Sequence, residues 1–116
     1  MAIKLNALPP IETPLFEAWC AGLAVEQQAA LAAAAPTLGP LLEAAPYLLS
    51  LAQDNVDWLV SSLADSADGA FADIVGTVET VGRDATSEEA LAPVLRIAKG
   101  RTALLAALAE TGGAWT

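Results

Sequence analysis

The chain of 116 residues lacks histidine altogether and contains a single cysteine. Without histidine, the Ser–His and Cys–His pairs that activate nucleophiles cannot form, and a zinc site is not expected. The lone Cys20 cannot form an internal disulfide, which suits a reducing cytoplasm. With Trp19 beside it and no histidine to activate it, Cys20 is predicted to be a buried structural thiol rather than a nucleophile.

Basic residues and long apolar runs are also scarce. Lysine and arginine number 5 against 14 acidic residues, so the net charge is -9. Such a protein repels nucleic-acid backbones and anionic membrane surfaces, and neither is an expected partner. The apolar runs fall short of the roughly 20 residues that cross a bilayer, and the N-terminus lacks the apolar core of a signal peptide. We therefore expect a soluble, cytoplasmic protein.

What the chain does have is alanine. Hydrophobic residues make up 55% of the sequence, but only 5% of the residues are aromatic. That mixture favours closely packed helices over a β-sandwich, which would need more valine, isoleucine, threonine and tyrosine. The sequence therefore predicts an all-α fold, a compact bundle of five to seven helices built around a single core.

Prolines and capping residues divide the chain into segments. Pro9 and Pro10 exclude a helix near the N-terminus, so residues 1–12 are predicted to be an extended arm and residues 13–116 a helical domain. The second helix is predicted to stop before Pro36. Helix starts are expected at Thr13–Pro14, Val25, Thr37–Pro40, Pro46 and Asp54–Asn55.

The stretch from Asp65 to Val81 fits two structures. Its sequence IVGTVETV is β-branched enough for a strand. Its large apolar residues nevertheless recur at helical spacing for more than ten residues, which favours a helix. On the helix that precedes this stretch, Trp58 faces a different side from Val60 and is a candidate for a second contact.

The last helix is predicted to be long and apolar. It opens at Thr86 or Ser87, with Glu89 in capping-box spacing, bends near Pro93 and ends at Gly112–Gly113. An apolar arc of about half the circumference indicates a helix that is covered on more than one side. The arc comprises Leu91, Val94, Leu95, Ile97, Ala98, Leu104, Leu105 and Ala109.

Candidate sites are few, and no catalytic residue is predicted. On the last helix, Arg96 and Lys99 lie together on the polar side and Arg101 lies on the opposite flank. They are either solvated charges or contacts for an anion such as a nucleotide phosphate. The acid pairs Asp54/Asp57 and Asp65/Asp68 are more simply helix N-terminal acids than metal ligands, so no metal site is predicted. Gly76 and Gly82 stand isolated in a helical pattern, and no phosphate-binding loop is present.

Two blocks of the sequence resemble a known family. They are APYLLSLAQDNVDWLVSSL, from Ala45 to Leu63, and LRIAKGRTALLAALAETGGAW, from Leu95 to Trp115. Both are similar to segments of the bacterial glutamine synthetase adenylyltransferase/adenylyl-removing enzymes. Arg96 and Lys99 match basic positions of the family, whereas Ile97 replaces an arginine and Arg101 replaces what is commonly an acid.

The resemblance implies a non-catalytic N-terminal helical region that leads into the first of two nucleotidyltransferase domains. In the family, that first domain removes AMP from glutamine synthetase by phosphorolysis, and the second attaches AMP from ATP. Both domains hold Mg²⁺ with acidic residues of a G-S-x-x-D-x-D-like motif, which is expected beyond Thr116 and is absent here. No cofactor is therefore assigned to this chain, while Mg²⁺ and ATP are implied for the parent enzyme. The implied partners are the rest of the parent chain and, through it, glutamine synthetase and a PII-type regulatory protein.

Two other classes of protein stay open. A self-contained helical interaction module could use its Val94, Ile97 and Leu104 flank to dock a partner or a second copy. A small helical enzyme would need a polar pocket that the sequence does not offer. The native reading frame downstream of Thr116 separates a module from a piece of a longer enzyme.

Overall fold

The computed structural model describes residues 3–84 and 88–114. These residues form six α-helices and no strand, which confirms the all-α prediction. In chain order the helices are α1 (Pro14–Ala21), α2 (Val25–Ala44), α3 (Pro46–Asp54), α4 (Val56–Leu63), α5 (Ala67–Asp84) and α6 (Glu88–Thr111).

Helix α1 begins where predicted but is capped differently. Pro14 occupies the start of the helix, where a missing N–H costs nothing. The Thr13 hydroxyl makes no capping bond. Instead, Oε1 of Glu43 on α2 accepts hydrogen bonds from the backbone N–H groups of Leu15 at 3.0 Å and Phe16 at 3.1 Å. A carboxylate is a good partner for the positive end of a helix dipole, and it joins α1 to α2.

The predictions that a helix ends before Pro36 and that another starts at Thr37–Pro40 are both wrong, because α2 continues through Pro36 and Pro40. A proline inside a helix leaves the carbonyl four residues earlier without its helical donor. For Pro40 that carbonyl belongs to Pro36, and the Leu8 N–H from the N-terminal segment donates to it at 3.0 Å. Leu38 and Leu42 are completely buried on the same helix. Tertiary packing and this replacement bond together offset the cost of the prolines.

The stretch from Asp65 to Val81, whose sequence fits both a strand and a helix, lies almost entirely within helix α5, so the helix prediction is confirmed. Its Ile74 is buried against α6. The hydroxyls of Thr77 and Thr80 donate to the carbonyls of Asp73 and Gly76, one turn earlier, at 3.0 and 2.8 Å. This back-bonding lets a threonine satisfy its hydroxyl within a helix, although β-branched residues favour strands.

Helix α6 is long, but the structure does not support its description as an apolar helix. Its predicted start at Thr86 or Ser87 lies outside the described residues. Only its second half is buried, whereas Leu95 and Ile97 in the first half are 45% and 50% exposed. The physical reason is that α5 packs mainly against α6, so the first half of α6 lacks the further cover that α2 and α3 give the second half. No helix among the described residues is long and apolar enough to cross a membrane.

The core consists of a main cluster and a smaller one. Trp58 of α4 packs against both, which agrees with its predicted second contact. The smaller cluster joins α5 to α6 through Ala70, Ile74 and Leu105. The main cluster contains Phe16, Leu31, Leu38, Leu42, Leu49, Ala52, Leu59, Leu104 and Leu108.

Residues 3–12 contain no helix and lie against the bundle. Leu5 packs against the main core. The Asn6 N–H donates to the Gly112 carbonyl at 2.7 Å, and the Asn6 carbonyl accepts a hydrogen bond from the buried Thr37 hydroxyl. This segment therefore joins the middle of α2 to the end of α6.

The predicted glycine stop of α6 is confirmed. The helix ends at Thr111, and Gly113 follows with a φ of 82°. The Gly113 N–H donates to the Glu110 carbonyl at 3.3 Å. This is the left-handed ending that glycine adopts without steric cost.

Replacing Gly113 with alanine is expected to lower the free energy of unfolding by about 1–2 kcal/mol, because an L-residue is strained at this φ. A Cβ there would also stand 2.5 Å from Nδ2 of Asn6. Gly76→Ala is the matched control. A Cβ at position 76 meets nothing within 4 Å, so alanine inside α5 should raise stability by about 0.5–1 kcal/mol. Urea unfolding, followed by circular dichroism, measures the stability of both variants. Equal effects of the two substitutions would contradict the left-handed conformation of Gly113.

Candidate functional site

Two residues outside α6, Asn55 and Trp58, hold the side chain of Arg101 of α6 in position. Its guanidinium lies over the Trp58 ring, 5.5 Å from the ring centroid. Its Nε donates to Oδ1 of Asn55 at 2.9 Å. Asn55, between α3 and α4, is itself fixed because its Nδ2 donates to the Leu51 carbonyl at 2.8 Å. This chain of contacts orients a cation that keeps further N–H donors.

Arg101 is partly buried, and the two residues that hold its guanidinium, Asn55 and Trp58, are uncharged. Burial lowers the pKa of its guanidinium, because the charged form loses hydration. An arginine stays protonated regardless. Its charge is therefore partly removed from water, and a carboxylate or phosphate that approached it would gain more than at a fully solvated arginine.

The structure groups the predicted basic residues differently from the sequence. Arg96 and Arg101 line one recess, in which Asp54 also takes part, whereas the exposed Lys99 is not among its lining residues. This recess is therefore lined by Arg96 and Arg101, while an anion contact by Arg96 and Lys99 stays a prediction. Gly100 allows the close approach, since a Cβ there would stand 2.9 Å from Cδ2 of Leu51 on α3. The recess is lined by Leu51, Asp54, Asn55, Arg96, Ile97, Gly100 and Arg101.

Beside this recess runs a groove between α5 and α6, with a volume of about 230 Å³. Two of the three residues that the sequence suggested as a docking flank, Val94 and Ile97, line it. The third, Leu104, does not belong there, because it is completely buried in the main core. The groove is lined by Trp58, Asp73, Ile74, Thr77, Val81, Val94, Ile97, Ala98 and Arg101.

Each acid pair weighed as a metal site has one member that accepts a hydrogen bond within the protein. Oδ1 of Asp57 accepts a hydrogen bond from Nε2 of Gln27 at 2.9 Å. Oδ1 of Asp65 accepts one from the Ser66 N–H at 2.7 Å, just before α5. Among residues 3–84 and 88–114, no group of three or more acidic, cysteine or histidine side chains is placed to hold a metal ion.

Cys20 is half-buried against the main core rather than fully buried. Burial raises the pKa of its thiol, because the thiolate is the form that loses hydration. We expect iodoacetamide to alkylate Cys20 more slowly than it alkylates glutathione at pH 8, and the pH at which the rate reaches half its maximum to lie above about 8.5, the ordinary thiol value. The same protein in urea should react at the free-thiol rate. Faster reaction in the folded state would show an activated cysteine instead.

The amino-acid sequence of the chain is similar to that of two known proteins. No family model matches the chain, and no solved structure matches it. Two proteins named bifunctional glutamine synthetase adenylyltransferase/adenylyl-removing enzyme, from two strains of Rhodopseudomonas palustris, are each 32% identical to it over 127 aligned positions. The alignment covers 99% of this chain.

The chain is homologous to part of these adenylyltransferases. It spans 13% of the length of the relatives that it matches. Because nearly the whole chain is aligned, the homologous region includes the α5–α6 groove and the neighbouring recess. Sequence reasoning found the basic residues and the family. It missed Asn55 and Trp58 as the partners of Arg101, because neither residue type signals a pairing with a residue far along the chain; Asn55 is 46 positions from Arg101.

Proposed function

We propose that this chain forms the N-terminal, non-catalytic helical portion of a bifunctional enzyme that adenylylates and deadenylylates glutamine synthetase. Its role is to support the adenylyl-removing domain. The observation that carries the proposal is the 32% identity across 99% of the chain to enzymes of that name. The absence of a G-S-x-x-D-x-D-like motif from the sequence supports a non-catalytic role.

The chemistry and partners then belong to the parent enzyme. Nucleotidyl transfer relies on positioning and on a metal held by acidic residues. Mg²⁺ and ATP would act in the nucleotidyltransferase domains outside this chain. The rest of the parent chain is the direct partner, and glutamine synthetase and a PII-type regulator are partners through it. The single cysteine and the acidic composition fit a cytoplasmic enzyme.

A chimera tests this role. In the chimera, the segment of the R. palustris enzyme that matches this chain is replaced by the chain, and a deletion variant of the enzyme lacks the segment. We measure phosphate-dependent release of AMP from adenylylated glutamine synthetase and ATP-dependent adenylylation. The chimera should retain both activities, and the deletion should lose AMP removal by about 100-fold, as expected when a site is mispositioned by about 1 Å.

Two controls define failure of the proposal. The isolated chain should release no AMP, since it carries none of the residues assigned to catalysis. The deletion should keep most of its adenylylating activity, which shows that the enzyme still folds. Phosphorolysis by the isolated chain, or unchanged AMP removal by the deletion, would each contradict the proposed role.

A further inference from the structure

Helix α5 and the first half of α6 form a pair with little cover from the rest of the bundle. The described part of the protein extends 47 Å along its longest axis but only 29 and 24 Å along the others. Helix α5 packs mainly against α6, while α2 and α3 pack against α6 as well. When two helices pack together, each buries only one stripe of its surface. An apolar surface beside that stripe can be buried by a third helix.

The surface beside this stripe is apolar and accessible. Ile97 is half exposed and lines both the groove and the recess, so the two concavities adjoin each other. Val81 and Val94, from the two helices, form facing parts of the groove. We call the groove and recess together the α5–α6 surface. Rows of apolar side chains in a groove between two helices fit the ridge of a further amphipathic helix.

The α5–α6 surface also contains two cations, Arg96 and Arg101, and two carboxylates, Asp54 and Asp73. Arg101 lies at the junction of groove and recess, fixed by uncharged partners, the Trp58 ring and the Asn55 amide. Burial lowers the pKa of this arginine, because the charged guanidinium is partly desolvated. A carboxylate supplied by a docking helix would make charge-assisted hydrogen bonds with the remaining N–H groups of the guanidinium.

We propose that the α5–α6 surface binds an amphipathic helix from the remainder of the parent enzyme, with apolar side chains in the groove and a carboxylate on Arg101. The proposal rests on the proposed function. The matched relatives contain a large remainder, because this chain spans 13% of their length. A second copy of the chain is a poorer occupant, since two domains of net charge -9 repel each other.

Thiol labelling in the chimera described above tests the docking. Ile97→Cys places a thiol on the α5–α6 surface, and Val25→Cys places one on α2 at a site that is 77% exposed. Labelling is read peptide by peptide by mass spectrometry in the chimera and in the isolated chain. The thiol at position 97 should react at least about tenfold more slowly in the chimera, as expected for a site that must open first. The thiol at position 25 should react equally in both.

The carboxylate is tested by Arg101→Gln in the Ile97→Cys chimera. Loss of the charge should restore much of the labelling at position 97, while Arg101→Lys should keep most of the protection. Lys4→Gln, which removes an exposed charge from the N-terminal segment, is the control and should change nothing. Thermal unfolding by circular dichroism verifies that each variant is folded. Equal protection in the glutamine and wild-type forms would overturn the assignment of a carboxylate.

The outcomes separate this proposal from the proposed function. An active chimera in which positions 97 and 25 both label at their isolated-chain rates overturns the docking and leaves the function standing. An inactive chimera in which position 97 alone is protected supports the docking and counts against the functional role. Protection at position 97 in the isolated chain that increases with protein concentration would show a second copy as the occupant and overturn the proposal.

Discussion

Leu104→Ala is expected to lower the free energy of unfolding by about 3–5 kcal/mol, the range for a fully buried leucine whose removal leaves a cavity. Leu104 has no exposed surface and belongs to the main core, where α6 meets the other helices. Small domains have a total stability of only about 5–15 kcal/mol. We therefore expect a much lower midpoint of urea unfolding, measured by circular dichroism, and partial unfolding near body temperature.

The matched control is the same substitution nine residues earlier on the same helix. Leu95 is 45% exposed, so Leu95→Ala should cost less than about 1 kcal/mol. Both variants lose the same atoms at interior positions of α6, so the difference between them measures burial rather than helix propensity. Equal losses would contradict the finding that only the second half of α6 lies in the core.

Deleting residues 1–8 is expected to lower the free energy of unfolding by about 2–4 kcal/mol. The deletion removes three hydrogen bonds that join this segment to α2 and the end of α6, each worth about 0.5–1.5 kcal/mol. It also removes the packing of Leu5 on the core. The Thr37 hydroxyl, in a residue only 2% exposed, would lose its acceptor. The cost of ordering the segment opposes these terms and keeps the net loss moderate.

Two point variants test which contacts of the segment account for the stability that the deletion loses. Thr37→Val removes the buried hydroxyl at nearly constant volume and leaves the Asn6 carbonyl without this donor, so it should reproduce about 1–2 kcal/mol of the loss. Lys4→Ala changes an exposed side chain in the same segment and should be neutral within about 0.5 kcal/mol. Differential scanning calorimetry provides the comparison. A deletion as stable as the full chain would show that the segment adds nothing to the fold.

The features that the sequence predicted correctly depend on local chemistry. The helical character of α5 follows from apolar periodicity sustained over more than ten residues, which outweighed its β-branched composition. The end of α6 follows from Gly113, whose positive φ suits no other residue as well. The blocks that resemble the adenylyltransferases are contiguous, so comparison with the relatives recovered the same family.

The features that the sequence missed depend on residues far apart in the chain. The sequence predicts a helix end before Pro36 and a new start at Thr37–Pro40, but α2 continues through both prolines. The carbonyl that Pro40 leaves free is satisfied by the N–H of Leu8. The cap of α1 comes from Glu43 on another helix rather than from the adjacent Thr13. Long-range replacement of a local bond leaves no pattern in the neighbouring sequence.

The sequence by itself determined the helical class, the position of α5, the glycine stop and the resemblance to part of the adenylyltransferases. Each of these depends on residue types at short spacing, where backbone propensity and side-chain periodicity act directly. Only the tertiary structure decided which half of α6 is buried, that Arg96 shares a recess with Arg101, and that the N-terminal segment joins α2 to α6. The apolar stripe of a helix indicates how much of its surface is suited to burial. The positions of the neighbouring helices determine which part of that stripe is buried.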